Sequence, residues 1–134
     1  MRKFSAQYIF TNKGPALKRG VITAHDDGTI ASVEDTGGEL TETSSIEFHN
    51  GIIVPGFVNC HTHLELSHLK GCIPRGKGLA EFIKLIRLLR EHEHTGISSS
   101  VAAADLEMFN EGIVLCADIC NSSATFGHKK TSRV

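Results

Sequence analysis

The sequence predicts an α/β chain in two parts. Residues 1–52 form part of a small β-sandwich, and residues 53–134 form two buried parallel strands with helices between them. Three patterns predict it. The first fifty residues hold short alternating segments broken by turn residues. The run Gly51 to Leu64 carries apolar side chains on both faces, the pattern of a strand buried on two sides in a parallel sheet. Two stretches of helical period separate that run from a second apolar run, residues 113–120. Strand, helices, strand in this order is a right-handed crossover between parallel strands.

Residues 3–11 alternate, with Phe4, Ala6, Tyr8 and Phe10 on one face and Ser5, Gln7 and Ile9 on the other. That is a half-buried strand. Asn12-Lys13-Gly14-Pro15 is a turn. Asp26-Asp27-Gly28 joins residues 18–25 to 29–35 as a hairpin, because glycine accepts the positive φ of such turns. Gly37-Gly38 through Ser45 is a polar loop, Ile46-Glu47-Phe48 a short strand, and Gly51 restarts the chain for the central strand.

The central run ends in His61-Thr62-His63. Successive strand side chains point to opposite faces, so Phe57, Asn59, His61 and His63 share one side and Val58, Cys60 and Thr62 the other. Two neutral imidazoles side by side at a strand end can chelate a divalent metal. With eight histidines in 134 residues the pair alone is weak and needs its context. A second pair, His92 and His94, falls at a predicted helix end, where i and i+2 diverge; positive charge is simply tolerated there.

Residues 66–78 read as a loop, marked by Gly71, Pro74, Gly76 and Gly78, with His68, Lys70, Arg75 and Lys77 either solvated or facing a substrate. Residues 79–92 are a helix whose Leu79, Phe82, Ile83, Ile86 and Leu89, widened by Leu85 and Leu88, form a packing stripe. Thr95-Gly96 ends it. A serine among 98–100 caps a second helix, 99–111, and Gly112 stops it. The tail from Gly127 reads as loose.

A net charge of −1 suggests neither nucleic acid nor an anionic membrane as partner. Trp is absent and Tyr occurs once, which removes stacking platforms for bases. No apolar run reaches the roughly 18–20 residues of a membrane span, and no signal peptide follows Met1. Cys60, Cys72, Cys116 and Cys120 make no Cys-x-x-Cys motif and read as buried reduced thiols of a cytoplasmic protein. Cys60 points away from His61, which disfavours it as a ligand.

Pro55-Gly56-Phe57-Val58-Asn59-Cys60-His61-Thr62-His63-Leu64-Glu65 closely resembles the first barrel strand of the amidohydrolase superfamily of metal-dependent hydrolases. The nearest likeness is to its nucleobase and nucleoside deaminases and chlorohydrolases, and it extends to the domain order of the whole chain. The resemblance implies that residues 53–134 begin a (β/α)8 barrel, its first two strands with the intervening helices. Such a barrel needs roughly 200–250 residues, so the chain reads as an N-terminal portion or a truncated product. It also implies that the sandwich is completed by absent strands, leaving edges open to self-association.

What the resemblance implies chemically is hydrolytic deamination of a nucleobase-like heterocycle, a small molecule, by a metal-activated water. His61 and His63 would be metal ligands, with zinc the default and iron or manganese the alternatives. The remaining ligands and the proton shuttle would come from later strands, and Asp118 is not one of them. Glu65 and His68 are the candidates for substrate contact, with Glu65 equally readable as a supporting carboxylate. A truncated, non-catalytic chain with weak metal binding is the competing reading. A small metal module of His61 and His63 with His25, His49 or His68 is a more distant one.

Overall fold

The structure is a computed structural model that describes residues 1–41, 43–90 and 96–134. His92, His94 and Thr95, with the predicted end of the first helix, lie outside the described residues. The chain divides into two units, Met1–Pro55 and Gly56–Val134.

The first unit is a sheet of five strands: β1 (Arg2–Ile9), β2 (Leu17–Lys18), β3 (Val21–Ala24), β4 (Ile30–Glu34) and β5 (Ile46–Ile53). β1 is its spine. On one edge it pairs antiparallel with β2 (Tyr8 opposite Lys18) and then β3 (Ser5 opposite Val21) in a single continuous register. The interruption between them is Arg19, at φ 53°, followed by Gly20. A Cβ on Gly20 would lie 2.9 Å from the Glu34 carbonyl oxygen, so glycine alone fits that close approach.

The β3–β4 hairpin forms as the turn residues predict. The His25 amide donates to the Thr29 carbonyl at 2.8 Å, the Thr29 amide to Asp27 Oδ1 at 2.9 Å, and Gly28 has φ 88°. The stretch after it differs from expectation. β5 does not stop at Phe48 to restart at Gly51; it runs parallel to β1 through both, with one extra residue taken up between its pairings to Ala6 and Tyr8. Residues 51–53 therefore belong to this sheet, and the strand bearing the histidines begins after Pro55-Gly56.

Burial on β1 follows Ser5, Ala6 and Ile9, all 1% exposed or less, while Tyr8 and Phe10 are exposed. The extra residue lies on β5, opposite the stretch between Ala6 and Tyr8. An apolar groove of about 500 Å³ is lined by Phe10, Leu17, Ile22, Val33, Ile53 and Val54 among others.

The second unit runs β6 (Phe57–Thr62), a 3₁₀ segment η1 (Leu64–Leu69), α1 (Gly78–Arg90), α2 (Ile97–Asn110), β7 (Ile113–Asp118) and a single turn α3 (Phe126–Lys129). β6 and β7 pair in parallel, as the crossover pattern requires. Gly112, at φ 80°, ends the connection from α2, and its carbonyl takes the Phe57 amide at 2.8 Å. The start of α2 is set by Gly96 at φ 90°; the expected serine cap is absent, and Ser99 Oγ donates to the Gly96 carbonyl instead.

The core of this unit is small: Leu64, Leu69 and Val101 with the buried polar residues Glu65, Asp105 and Thr125. Three expectations of burial are not met. Among the described residues β6 has a single partner strand, so Phe57 and Val58 are more than half exposed and Cys60 is exposed. α1 carries its apolar stripe but buries none of it fully, leaving Leu79, Phe82, Ile83 and Leu88 exposed. All four cysteines are free, Cys72 exposed and Cys116 and Cys120 half-buried.

Two further departures bear on the site. Residues 66–69 are helical, not loop. The tail is fastened: Ser132 Oγ donates to Asp105 Oδ1 at 2.6 Å, and His128 Nε2 lies 3.0 Å from Asp105 Oδ2. No helix among the described residues is long and apolar enough to cross a membrane.

Candidate metal centre

β6 delivers His61 near its end, and His63 follows as the residue that opens η1. The chain is still extended at His63 (φ −133°), so the two side chains keep the same side. Their Nε2 atoms stand 3.2 Å apart, with ring centroids at 5.2 Å and planes 62° apart. Two nitrogens bound to one tetrahedral zinc at about 2.05 Å would stand about 3.3 Å apart. The pair thus has the spacing of two ligands to one ion.

Each histidine is steadied from behind. The His61 amide bonds Asn59 Oδ1 at 3.1 Å. His63 Nδ1 lies 2.9 Å from the Ile119 carbonyl, just past β7. A carbonyl only accepts, so Nδ1 carries the proton and the neutral ring presents a bare lone pair at Nε2. His61 then donates from its own Nε2 to that lone pair when no cation is between them. Among the described residues, no group of three or more His, Cys, Asp or Glu side chains converges in a way that could hold a metal. Two imidazoles are what this chain's described residues bring together.

Beside the pair lies a polar clasp that the sequence did not reveal. Glu65, 4% exposed, accepts from Asn121 N (3.1 Å), Asn121 Nδ2 (3.0 Å), Ser122 N (2.9 Å) and Ser122 Oγ (2.8 Å), and it pairs with Arg90 at the end of α1. The helical turn begun at Leu64 aims this carboxylate into the chain, at the loop after β7. Burial alone raises the Glu65 pKa, but the hydrogen bonds from Asn121 and Ser122 and the charge of Arg90 outweigh it, holding the carboxyl below its ordinary range.

Asp118, at the end of β7, does the same from the other side. Its Oδ1 takes the Leu64 amide at 2.8 Å, and its Oδ2 meets Lys129 Nζ at 2.8 Å and Cys120 Sγ at 3.1 Å. Burial again pushes the Asp118 pKa up, and Lys129, the Leu64 amide and Cys120 bring it down below normal. The Lys129 ammonium is correspondingly held above its usual range by hydrogen bonds to Asp118 and Cys120. Asp118 is thus occupied with Leu64 and Lys129. His68 lies in the last turn of η1, half-buried.

No family model matches the chain. It is 31% identical over 111 residues to a 5'-deoxyadenosine deaminase of Methanococcoides burtonii, covering 77% of this chain and 24% of that one. It is 35% identical over 51 residues to a 5-methylthioadenosine/S-adenosylhomocysteine deaminase of Haloarcula marismortui, covering 38% and 12%. The chain therefore spans a quarter or less of these curated relatives. Among solved structures, an aminofutalosine deaminase of Helicobacter pylori in complex with methylthio-coformycin superposes with a TM-score of 0.76 at 17% identity, over 100% of this chain and 33% of that one. An amidohydrolase from Brucella melitensis gives 0.65 at 17% identity, over 88% and 26%. An adenosine deaminase of Xanthomonas campestris with bound zinc gives 0.59 at 14% identity, over 94% and 31%. At these identities the structural likeness is one of fold.

Proposed function

We infer that this chain, a relative of the amidohydrolase-superfamily deaminases that matches a portion of their length, supplies the first metal-gripping strand of a hydrolytic deaminase acting on an aminated, nucleobase-like heterocycle. In this reading the first unit, Met1–Pro55, contributes to a β-sandwich and the second, Gly56–Val134, opens a barrel. The observation that carries it is the 3.2 Å separation of His61 Nε2 and His63 Nε2. A divalent metal, zinc by default, would supply a water that ionises near neutral pH. His61 and His63 would hold that metal. The Ile119 carbonyl orients the His63 ring from behind, and Asn59 Oδ1 holds the His61 backbone amide. His68 stays a candidate for the substrate side, whereas the Glu65 carboxylate is fully engaged within the chain.

The same geometry favours a second reading for the 134 residues by themselves. Catalytic zinc sites use three protein ligands and a water, and the described residues bring two together. The isolated chain is then a non-catalytic product that binds metal weakly. Calorimetric titration with zinc should give one weak site per chain, weakened by about tenfold or more in His61→Ala and in His63→Ala, and the purified chain should not release ammonia from adenosine-type substrates. Zinc binding that survives both substitutions would remove the assignment of the pair. Turnover by these residues alone would remove the non-catalytic reading.

The uncovered surfaces carry a prediction of their own. Phe57, Val58, Val114 and Leu115 on the two-stranded sheet, with Leu79, Phe82, Ile83 and Leu88 on α1, are 44–72% exposed. Exposed apolar patches and open strand edges drive association. Sedimentation velocity should show concentration-dependent self-association; a monodisperse monomer at high concentration would contradict it.

A further inference from the structure

We propose that Glu65 and Asp118 are positioning residues for His63, fixing which of its ring nitrogens is bare and where that nitrogen points. The proposal deepens the metal-site reading above, since it takes His63 as one of the two ligands.

The Ile119 carbonyl faces His63 Nδ1 at 2.9 Å and holds the proton there, leaving Nε2 bare. A backbone carbonyl in a loop has no fixed place unless its neighbours are held. Here both sides are held, and by residues next to the histidine itself. One residue before Ile119, Asp118 Oδ1 takes the amide of Leu64, one residue after His63. Two and three residues after Ile119, the amides of Asn121 and Ser122 enter the carboxylate of Glu65, two residues after His63. The Ile119 amide closes the set by donating to the Thr62 carbonyl at 2.9 Å, one residue before His63. The segments 62–65 and 118–122 are thus laced together in both directions, and the His63 ring and the Ile119 carbonyl are the centre of the lacing.

The chemistry of the lacing needs carboxylates. Glu65 receives five donors, three of them on one oxygen, and only the ionised carboxylate is acceptor-only on both oxygens. Asp118 must accept an amide on one oxygen while Lys129 holds the other. Neither residue touches His61 or His63. Their effect on the ring passes through backbone atoms that they hold.

The test reads the ring nitrogens directly, in the metal-free chain labelled with nitrogen-15. Two-bond correlation spectra distinguish a proton on Nδ1 from one on Nε2. Wild type should show His63 protonated at Nδ1 with Nε2 bare. Glu65→Ala and Asp118→Ala should give mixed His63 tautomers, and Glu65→Gln, which keeps the shape and one acceptor oxygen, should lie between Glu65→Ala and wild type. Glu111→Ala, at an exposed position just past α2 with no bond to the lacing, should leave His63 as in wild type. Zinc affinity should fall about 10–100-fold in Glu65→Ala and Asp118→Ala.

An Nε2-protonated His63 in wild type would overturn the proposal. So would an unchanged tautomer in folded Glu65 and Asp118 variants, or a change in Glu111→Ala as large as theirs. If Glu65→Ala does not fold, Glu65→Gln decides by the same spectra. A separate zinc titration of wild type distinguishes the two claims: resonances of His61 and His63 that ignore zinc remove the metal reading and leave the positioning intact.

Discussion

Replacing Glu65 by alanine should cost the second unit about 3–5 kcal/mol, the largest effect expected of any single substitution outside the apolar core. The reason is the number of donors left behind. Wild-type Glu65 takes two backbone amides, a side-chain amide, a hydroxyl and a guanidinium into one carboxylate that is 4% exposed. Removing one partner of a buried ionic network costs more than forming it gains, because the remaining groups keep their desolvation without their bonds. Arg90 is a third exposed and can turn to water, which moves the cost toward the lower end. Even so, a domain's whole stability is about 5–15 kcal/mol. Urea unfolding should show a lowered midpoint for Glu65→Ala, a smaller loss for Glu65→Gln, and a change within about 0.5 kcal/mol for the exposed Glu111→Ala. A Glu65→Ala midpoint within error of wild type would mean that the clasp contributes nothing to the fold.

That clasp marks the boundary of what the sequence could convey. Strands β6 and β7 and helices α1 and α2 followed from local patterns: apolar runs, 3.6-residue spacing, and glycines at 96 and 112 with positive φ. The His61–His63 pair was legible because i and i+2 share a face in any strand. Glu65 has the same parity, and extending the strand by two residues would have placed it beside the histidines. The chain turns into η1 at Leu64 instead, and nothing in Leu-Glu-Leu-Ser announces a 3₁₀ turn. Its partners lie 56 and 57 residues away, and a single sequence carries no signal for such a pairing. For Asp118 the family resemblance implied only that it is not a ligand; its bond to Leu64 spans 54 residues, and its bond to Lys129 depends on a tail that reads as loose.

The β-sheet unit shows the complementary failure. The two faces read along β1 do not give its burial: the buried set is Ser5, Ala6 and Ile9, drawn from both faces, while Tyr8 and Phe10 are exposed. Periodicity tells which side chains share a face; it does not tell which face another layer covers. Phe10, Ile22, Val33 and Ile53 line an open groove for the same reason that Phe57 and Val58 are exposed on β6. In both units the pattern written in the sequence is richer than the packing among the described residues.

Acid should unfold the second unit before its apolar contacts alone would require, and the sign follows from the two carboxylates. Glu65 and Asp118 both have folded-state pKa values below their ordinary ones. Each therefore contributes stability that is fully present above its unfolded value, about 4.3 for Glu and 3.9 for Asp. That stability is lost as pH falls through the window between the unfolded and folded values. Within the window each group that the unfolded chain protonates first adds a slope of about 1.4 kcal/mol per pH unit. Lys129 works in the opposite range: its raised pKa contributes below about 10.4 and is lost only in strong alkali, so it does not soften the acid limb. Urea midpoints followed by circular dichroism should be flat from pH 7 to 5 and drop steeply from about pH 4.3 downward. In Glu65→Gln and Asp118→Asn the plateau should be lower and the drop shallower, because a group that no longer titrates cannot lose its contribution. A wild-type midpoint that does not change between pH 5 and 3, or variants with an undiminished slope, would show that these two carboxylates are not what ties η1 to the end of β7.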